Sequence, residues 1–230
     1  YKNIETNKYL ICFTPDAFLQ LISAFSSMFN ARSIIDGLSL MNENSIGKQI
    51  AVKNLNISDE GLHPENIGAF SFDGEGTPTQ NINLIKSGVL INLLHSEATA
   101  RKFGVSPTGH AGIGAKVSVS PDWLVVRKSD IEKDKNDSLS IKNTSNEYIL
   151  IDELSAIHSG VKASQGSFSL PFDGWIVNGL KKTSIEAATV AGDILQVLNN
   201  IVKIENEQIV THQGISPYVW VKNISITGEA

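Results

Sequence analysis

Two apolar-rich runs joined by a short turn constrain the fold of this chain more than any other feature. Residues 80–85 and 89–95 flank the tripeptide Lys86-Ser87-Gly88. A glycine in a short connection between two such runs is typical of a β-hairpin, because glycine readily adopts the positive φ that the turn requires. The sequence therefore predicts two antiparallel strands here and a fold rich in β-sheet.

Many other apolar runs are too short for helices and end at glycine or polar residues, which indicates strands. Only a few segments show the spacing of an amphipathic helix. Strands are predicted at residues 9–13, 116–120, 123–126, 148–151, 168–170, 175–177, 218–221 and 224–226, with turns at Gly166, Gly174 and Gly179. Many strands with a few segregated helices predict the α+β class, with mixed or antiparallel sheets.

Four helices are predicted from capping residues and apolar spacing. Thr14 can cap a helix that begins at Pro15, and a second amphipathic segment spans residues 31–37. Ser96 caps a third helix, which ends at a glycine. The fourth helix is predicted over residues 185–201. Its apolar face consists of Ala188, Ala191, Ile194, Leu195 and Leu198.

Residues 129–146 differ in composition from the rest of the chain, because they are rich in charged residues and contain few apolar ones. Such a segment has little apolar surface to bury, so we expect an exposed, mobile insertion. The segments on either side resemble strands of one sheet. We therefore predict a single domain over residues 1–230.

Charge and cysteine content exclude some classes of protein. The formal net charge is −5, whereas a broad nucleic-acid surface needs clustered lysine and arginine. The single cysteine, Cys12, cannot form an internal disulfide and lies in an apolar run, so we expect a buried thiol in a reducing compartment. With no signal peptide and no apolar run long enough to span a bilayer, the expected location is the cytoplasm.

A polar turn precedes the predicted hairpin and contains the main candidate site residues. Phe72, Asp73, Glu75, Gly76 and Thr77 lie within six residues of one another. The two acids could form a carboxylate pair for acid–base chemistry or contribute to a calcium site, although an EF-hand loop needs more acids. The alternative is a solvated turn in which the glycines supply positive φ.

The histidines and a glycine-rich loop give weaker signals. The five histidines are scattered, and none forms a spacing typical of zinc ligands, so we expect no metal site in this chain. Residues 109–116 resemble a phosphate-binding loop, but Ala115 separates the last glycine from Lys116 and a strand follows instead of a helix. We therefore interpret this loop as a turn that allows close backbone approach.

Several motifs, in order, resemble the TldD/PmbA family, also known as modulators of DNA gyrase and understood as subunits of a metalloprotease. The motifs include Phe72-Asp73-Gly74-Glu75-Gly76-Thr77-Pro78-Thr79, Ala100-Arg101-Lys102-Phe103-Gly104 and Ser106-Pro107-Thr108-Gly109-His110-Ala111. The helix-like segment from Ala191 to Ile201 is similar to another family motif. The resemblance spans most of the chain, approximately residues 9–228, and corresponds to the C-terminal portion of family members, without their N-terminal domain.

The resemblance also implies which type of subunit this is. In the TldD type, a helix with the motif His-Glu-x-x-x-His and a cysteine near the C-terminus bind the metal. The corresponding segments here, residues 16–30 and 204–217, contain no such histidine pair and no cysteine. The chain is therefore similar to the metal-free PmbA (TldE) type, and the resemblance implies zinc only in a TldD-type partner.

Two functional classes follow from this resemblance. One is a non-catalytic subunit in a heterodimer that degrades or processes unfolded peptides. In this class we expect neither nucleic acid nor a membrane as a partner. The other is a stand-alone binding module, such as a homodimer of the same fold. In the first case we expect Phe72, Asp73, Glu75, Gly76 and Thr77 to face the subunit cleft, and replacement of the two acids by alanine to leave stability nearly unchanged.

Overall fold

A computed structural model describes residues 2–130, 140–141 and 147–228. Strands predominate. They are β1 (Asn7–Phe13), β2 (Leu55–Glu60), β3 (Asn81–Lys86), β4 (Val89–Leu90), β5 (Ala111–Ile113), β6 (Val117–Val119), β7 (Leu124–Lys128), β8 (Tyr148–Leu154), β9 (Val161–Lys162), β10 (Ser167–Asn178), β11 (Lys181–Ser184), β12 (Ala188–Asp193), β13 (Ile201–Ile204), β14 (Ile209–Val210), β15 (Gly214–Ser216) and β16 (Val219–Gly228).

The helices are short. They are α1 (Pro15–Ala24), α2 (Ala31–Ile35), α3 (Glu97–Phe103), α4 (Ile157–Gly160) and α5 (Ile194–Asn199), with 3₁₀ turns at Ser26–Phe29 and Glu43–Ser45. Strands with a few helices confirm the predicted α+β class. The longest helix in the described ranges, α1, has 10 residues, and a helix needs about 20 to cross a bilayer. No helix in the described ranges could therefore span a membrane.

The larger sheet curves into a partial barrel. Its strand order is β1-β8-β10-β12-β16-β13, and β1 also pairs with β16, so five of these strands form a closed circuit. All its strand pairs are antiparallel except β1 with β8. The short strands β9 and β11 both pair with β10.

A second, smaller sheet contains the two strands, β2 and β3, between which the polar turn lies in the chain. Its order is β14-β15-β7-β2-β3-β4, with β15 and β7 parallel and the other pairs antiparallel. The predicted hairpin is β3–β4, and its turn has φ of 49° at Ser87 and 75° at Gly88. Strands β5 and β6 form a separate two-stranded sheet beside it.

Helix α1 lies between the two sheets. The Thr14 hydroxyl accepts a hydrogen bond from the Ala17 amide, as the sequence predicts for a cap. Its apolar side chains, including Phe18, Leu21 and Ile22, are fully buried in the main core. The helix packs against β8 and β15, so it joins the large sheet to the small one.

The predicted helix over residues 185–201 is wrong in its first half. Residues of β12 pair with β10 on one side and with β16 on the other, and only α5 is helical. The Asp193 carboxylate accepts hydrogen bonds from the amides of Leu195 and Gln196, so the helix begins there. The alanines counted as one face of a helix therefore belong to a strand.

Two further sequence predictions divided single strands. The predicted strands at residues 168–170 and 175–177 are both parts of β10, and Gly174 lies at a bulge in that strand instead of a turn. The predicted strands at residues 218–221 and 224–226 likewise belong to β16. In both cases a polar or glycine residue interrupts the apolar pattern without ending the backbone pairing.

The predicted insertion lies mostly outside the described residues, which omit 131–139 and 142–146. The described residues at its edges are not all exposed. Ser129 is buried, and its amide donates to the Asn54 carbonyl oxygen at 2.7 Å. Ile141 is partly buried against a second apolar cluster on the large sheet, which contains Cys12, Tyr148, Leu150, Val177 and Trp220.

Candidate functional site

The polar turn from Phe72 to Thr77 is organised by its own carboxylate. Asp73 Oδ1 accepts hydrogen bonds from the amides of Glu75 and Thr77, both at 2.9 Å. Asp73 Oδ2 accepts a third from the Ala111 amide at 3.0 Å. The side chain therefore closes the turn and attaches it to β5.

The other residues of the turn make equally specific contacts. The Gly74 amide donates to the Ala111 carbonyl oxygen at 2.6 Å, and a β-carbon on Gly74 would lie only 2.9 Å from that oxygen. Glu75 Oε2 accepts a hydrogen bond from the Glu97 amide at 2.8 Å, in the first turn of α3. The turn thus bridges β5 and α3, with Gly76 at φ +81° and Thr77 buried.

Phe72 is the candidate residue that is most available to a partner, because 61% of its surface is exposed. Phe70 and Ile113 are exposed at 76% and 64%. Phe70 and Phe72 line an open cavity of about 330 Å³, whose lining also includes Asp73, Thr79, His110 and Asp122. Of the predicted site residues, Phe72 and Asp73 are among the residues that line this cavity, whereas Glu75, Gly76 and Thr77 are not.

Two residues that line this cavity, His110 and Asp122, meet a buried aspartate, Asp59. Asp59 lies in β2, and Asp122 lies just before β7, which pairs with β2. His110 Nε2 is 3.4 Å from Asp59 Oδ1 and 4.0 Å from Asp122 Oδ2. The side chains of His110 and Asp59 are fully buried, whereas that of Asp122 is 41% exposed.

Backbone amides hold Asp59 in place. Its Oδ2 accepts from the Asp122 amide at 2.7 Å, and its Oδ1 accepts from the Trp123 amide at 3.2 Å. This pairing compensates part of the cost of burying a carboxylate. It also fixes Asp122 directly beside Asp59, so that two acids share one small volume.

The shared volume changes the proton affinity of two groups. Burial by itself would lower the pKa of His110, but contact with Asp59 and the charge of Asp122 outweigh it, so the pKa is raised. Burial raises the pKa of Asp122, and the charges of Asp59 and Asp73 add to that effect, while His110 opposes it. The cluster therefore favours a positive charge between the carboxylates.

The far side of the His110 ring is held by Thr108. His110 Nδ1 lies 3.0 Å from Thr108 Oγ1. The same hydroxyl accepts from the His95 amide at 2.9 Å and can donate to the His95 carbonyl oxygen at 3.2 Å. His95 itself is buried against Phe103, and burial lowers its pKa. The glycine-rich loop thus positions a histidine, as well as allowing close backbone approach.

Sequence analysis missed this convergence. Asp59, His110 and Asp122 are the only group of three potential ligand residues within 4.8 Å of one another that the described residues form. They come from three separate segments, and their spacing matches no ligand motif. The one available signal was His110 in a loop of small residues, which alone does not indicate a partner.

The two segments that the resemblance compares with the metal-binding segments of the TldD type also meet in this structure. Helix α1 packs against β15, and His212 Nδ1 lies 3.6 Å from Asp16 Oδ1. Beside them is a cavity of about 510 Å³, lined in part by Gln20, Ser23 and Gln213. The positions of α1 offer amide and hydroxyl groups in place of the histidine–glutamate motif.

Comparisons with known proteins agree in sequence and in structure. The family model described as "PmbA/TldA metallopeptidase C-terminal domain" matches residues 6–228. A metalloprotease PmbA homolog of Haemophilus influenzae is 25% identical over 207 residues, which cover 90% of this chain and 43% of that protein. The PmbA homolog of Buchnera aphidicola from Baizongia pistaciae is 24% identical over 99% of this chain and 48% of its own length.

Solved structures give the same result. A Thermotoga maritima protein, named for a proposed role as a modulator of a DNA gyrase, has a TM-score of 0.85 and 30% identity over 98% of this chain and 51% of its own. TldE from Thermococcus kodakarensis has a TM-score of 0.79 at 19% identity, which supports the fold alone, over 98% and 51%. The chain therefore spans about half the length of these relatives.

Proposed function

Because this chain belongs to the PmbA/TldD family of metalloproteases, we propose that it acts as a PmbA (TldE)-type, non-catalytic subunit beside a TldD-type partner. One observation carries this proposal. Helix α1 lies against β15, where the resemblance would place the metal-binding helix, yet its residues include Asp16 and Gln20 and no histidine. A catalytic zinc usually has three protein ligands, which this segment does not supply. The catalytic zinc would then belong to the partner.

We infer that the cleft beside the polar turn contributes to a channel for unfolded peptides. The exposed rings of Phe70 and Phe72 offer apolar contact without specific hydrogen bonding, which suits extended chains of varied sequence. Asp73 and Glu75 would act indirectly, because their oxygens hold the turn and α3 in position. Gly76 remains a predicted contributor to the same surface, whereas the buried Thr77 would contribute only through the shape of the turn.

The buried, unpaired thiol of Cys12 is compatible with assembly in a reducing compartment, and we propose a cytoplasmic location. The proposed partner and substrate are those of the whole protein, not of this chain alone. This chain spans 43% and 48% of the two PmbA homologs described above, so this proposal on partner and substrate includes the other half of such proteins.

The test is co-expression of the full-length protein with a TldD-type subunit, identified in the same genome by His-Glu-x-x-x-His. We expect the two to co-purify, and metal-dependent cleavage of an unstructured peptide to require both. Phe72→Ser should reduce cleavage while leaving the melting temperature nearly unchanged, because Phe72 is 61% exposed. Leu180→Ser is a matched control, since Leu180 is fully exposed far along the chain on the β10–β11 turn.

Two outcomes would contradict the proposal. One is metal-dependent cleavage by the protein alone after rigorous purification, which would place the catalytic residues in this subunit. The other is a stable homodimer that does not bind the TldD-type subunit, which would favour the stand-alone binding module. Equal cleavage by Phe72→Ser and the parent would retain the subunit role but reject the assignment of this cleft to the peptide channel.

A further inference from the structure

We propose that Asp59, His110 and Asp122 form a binding site for a first-row divalent transition metal ion, with zinc as the best match. This replaces the expectation of no metal site, which considered sequence spacing only. The proposal does not depend on the subunit role, because all three residues belong to this chain and none lies in α1.

The first argument is the unsatisfied nitrogen of His110. Nε2 is buried and has no hydrogen-bond partner among the described residues, although it lies 3.4 Å from a carboxylate oxygen. A buried polar atom without a partner is destabilising, because it loses its hydrogen bonds to water and gains none in the protein, so such atoms are uncommon. A cation between Nε2 and the two carboxylates would satisfy all three groups together.

The second argument is the orientation of the imidazole by Thr108. The Thr108 hydroxyl can donate its proton to the His95 carbonyl oxygen and accept from the His95 amide. It then accepts a hydrogen bond from Nδ1–H of His110, at 3.0 Å. That arrangement leaves the Nε2 lone pair directed at the aspartates. Metal-binding histidines commonly use their second nitrogen in this way, to fix the tautomer and the ring.

The distances between donor atoms fit a small ion. Ligand atoms that lie about 2.1 Å from zinc at tetrahedral angles are roughly 3.4 Å apart. The observed separations from His110 Nε2 are 3.4 Å to Asp59 and 4.0 Å to Asp122, and the second can shorten because the Asp122 side chain is partly exposed. All three donor atoms lie within 4.8 Å of one another, so movement of the Asp122 side chain would bring them closer to zinc-binding separations.

The donor chemistry selects the class of metal. Calcium binds roughly six to eight oxygen ligands, and magnesium usually keeps several of its water ligands. Neither ion therefore favours a buried imidazole nitrogen. One nitrogen and two carboxylates suit zinc and its first-row neighbours. Three protein ligands leave a fourth position, and the cavity lined by His110 and Asp122 gives water access to it.

The experiment is zinc titration of the chelator-treated protein by calorimetry, with magnesium as the comparison ion. We expect one zinc per chain and no measurable magnesium binding. Asp122→Asn should weaken zinc binding at least about tenfold, because it removes a charged ligand. This variant should fold, since the Asp122 backbone amide, not its side chain, holds Asp59. His110→Asn should weaken binding similarly while retaining a polar group near Thr108.

His212→Ala is the control for adventitious binding, because His212 pairs with Asp16 on the surface and its side chain is 77% exposed. Zinc affinity should be unchanged in this variant. The ¹⁵N chemical shift of His110 Nε2 should also move on zinc addition in the parent protein. The proposal is overturned if the parent binds no zinc, or if Asp122→Asn and His110→Asn bind it as tightly as the parent. The first result would favour a protonated His110 between two carboxylates, and the second would show that zinc binds elsewhere on the protein.

Discussion

At the scale of single residues, Asp73 is the clearest case in which the structure changes the expected result of a mutation. Its carboxylate accepts three backbone hydrogen bonds, from Glu75, Thr77 and Ala111. Asp73→Ala would leave those amides to water or unpaired, so we expect a loss of about 2 kcal/mol or more in the free energy of unfolding. This prediction replaces the expectation, from sequence, that stability would hardly change. Urea unfolding measures it.

Two further variants test the cause of that loss. Asp73→Asn retains one carbonyl oxygen, so it should cost less than Asp73→Ala. Glu75→Ala removes one hydrogen bond at the first turn of α3, where Ser96 already caps the helix, and should cost about 1 kcal/mol. Equal stability of the parent and Asp73→Ala would mean that the turn is not held by this side chain.

At the scale of elements, the β3–β4 hairpin allows a matched pair of glycine variants. Gly88 has φ +75°, and a β-carbon there would lie 2.3 Å from the Ala51 carbonyl oxygen and 2.5 Å from that of Val52. Gly47 has φ +82° with no atom within 4 Å of the added carbon. Both alanine variants incur the cost of positive φ, about 1–2 kcal/mol, but only Gly88→Ala adds a clash with backbone.

We therefore expect Gly88→Ala to lower the midpoint of thermal unfolding clearly more than Gly47→Ala. Far-ultraviolet circular dichroism, which reports on the β-sheet, would follow both transitions. Equal losses in the two variants would show that the hairpin shifts to accommodate a side chain, and that backbone contact at Gly88 is not limiting.

Some elements of this fold could be predicted from the sequence and others could not. The cap at Thr14, the hairpin turn at Gly88 and the end of α3 at Gly104 were predictable, because residues next to one another in the chain determine them. The β12 strand was not, because its residues also fit helical spacing and its pairing partners β10 and β16 are distant in sequence. Tertiary pairing overrode a local pattern there.

In the candidate site, too, one part could be predicted from the sequence and another could not. The turn around Asp73 was located from its acids and glycines, and Phe72 and Asp73 line a cavity there, while the role of the turn stays a prediction. The group of Asp59, His110 and Asp122 was not, because β2, the glycine-rich loop and the start of β7 meet only in the folded chain. Burial of His110, which gives the group its chemistry, likewise cannot be read from one loop.

At the scale of the whole molecule, the large sheet is buried on two sides. The main core includes Phe13 and Ile151, whereas Cys12, Tyr148 and Trp220 form the second cluster. Alternate residues of β1 and β8 point to opposite faces, which is why neighbours in sequence enter different clusters. The Tyr148 and Trp220 rings lie 4.6 Å apart, and the Trp220 indole donates to Glu205. Loss of this cluster would expose one face of the sheet.

The ionisation of Tyr148 should therefore affect global stability at alkaline pH. Burial, with the nearby Cys12 and Glu205, raises the pKa of Tyr148 from 10.0 to about 12. Between these values the phenol is ionised in the unfolded chain and protonated in the folded one, so the unfolded state binds fewer protons and stability falls as pH rises. Below about pH 10 the phenol is protonated in both states, so the stability that depends on protonated Tyr148 is fully present.

Tyr148→Phe should remove that part of the alkaline loss, because phenylalanine packs similarly and cannot ionise. Burial also raises the pKa of Cys12, so both chains are compared in a Cys12→Ala background, which removes the thiol from the titration. The measurement is the free energy of unfolding in urea at intervals from about pH 8 to 11.5, where unfolded tyrosine ionises. The two curves should run parallel below pH 10, about the ordinary tyrosine value, and diverge above it as the tyrosine chain loses stability faster. Parallel curves throughout would show that the Tyr148 hydroxyl reaches solvent in the folded protein, and that the second cluster does not seal this face of the sheet.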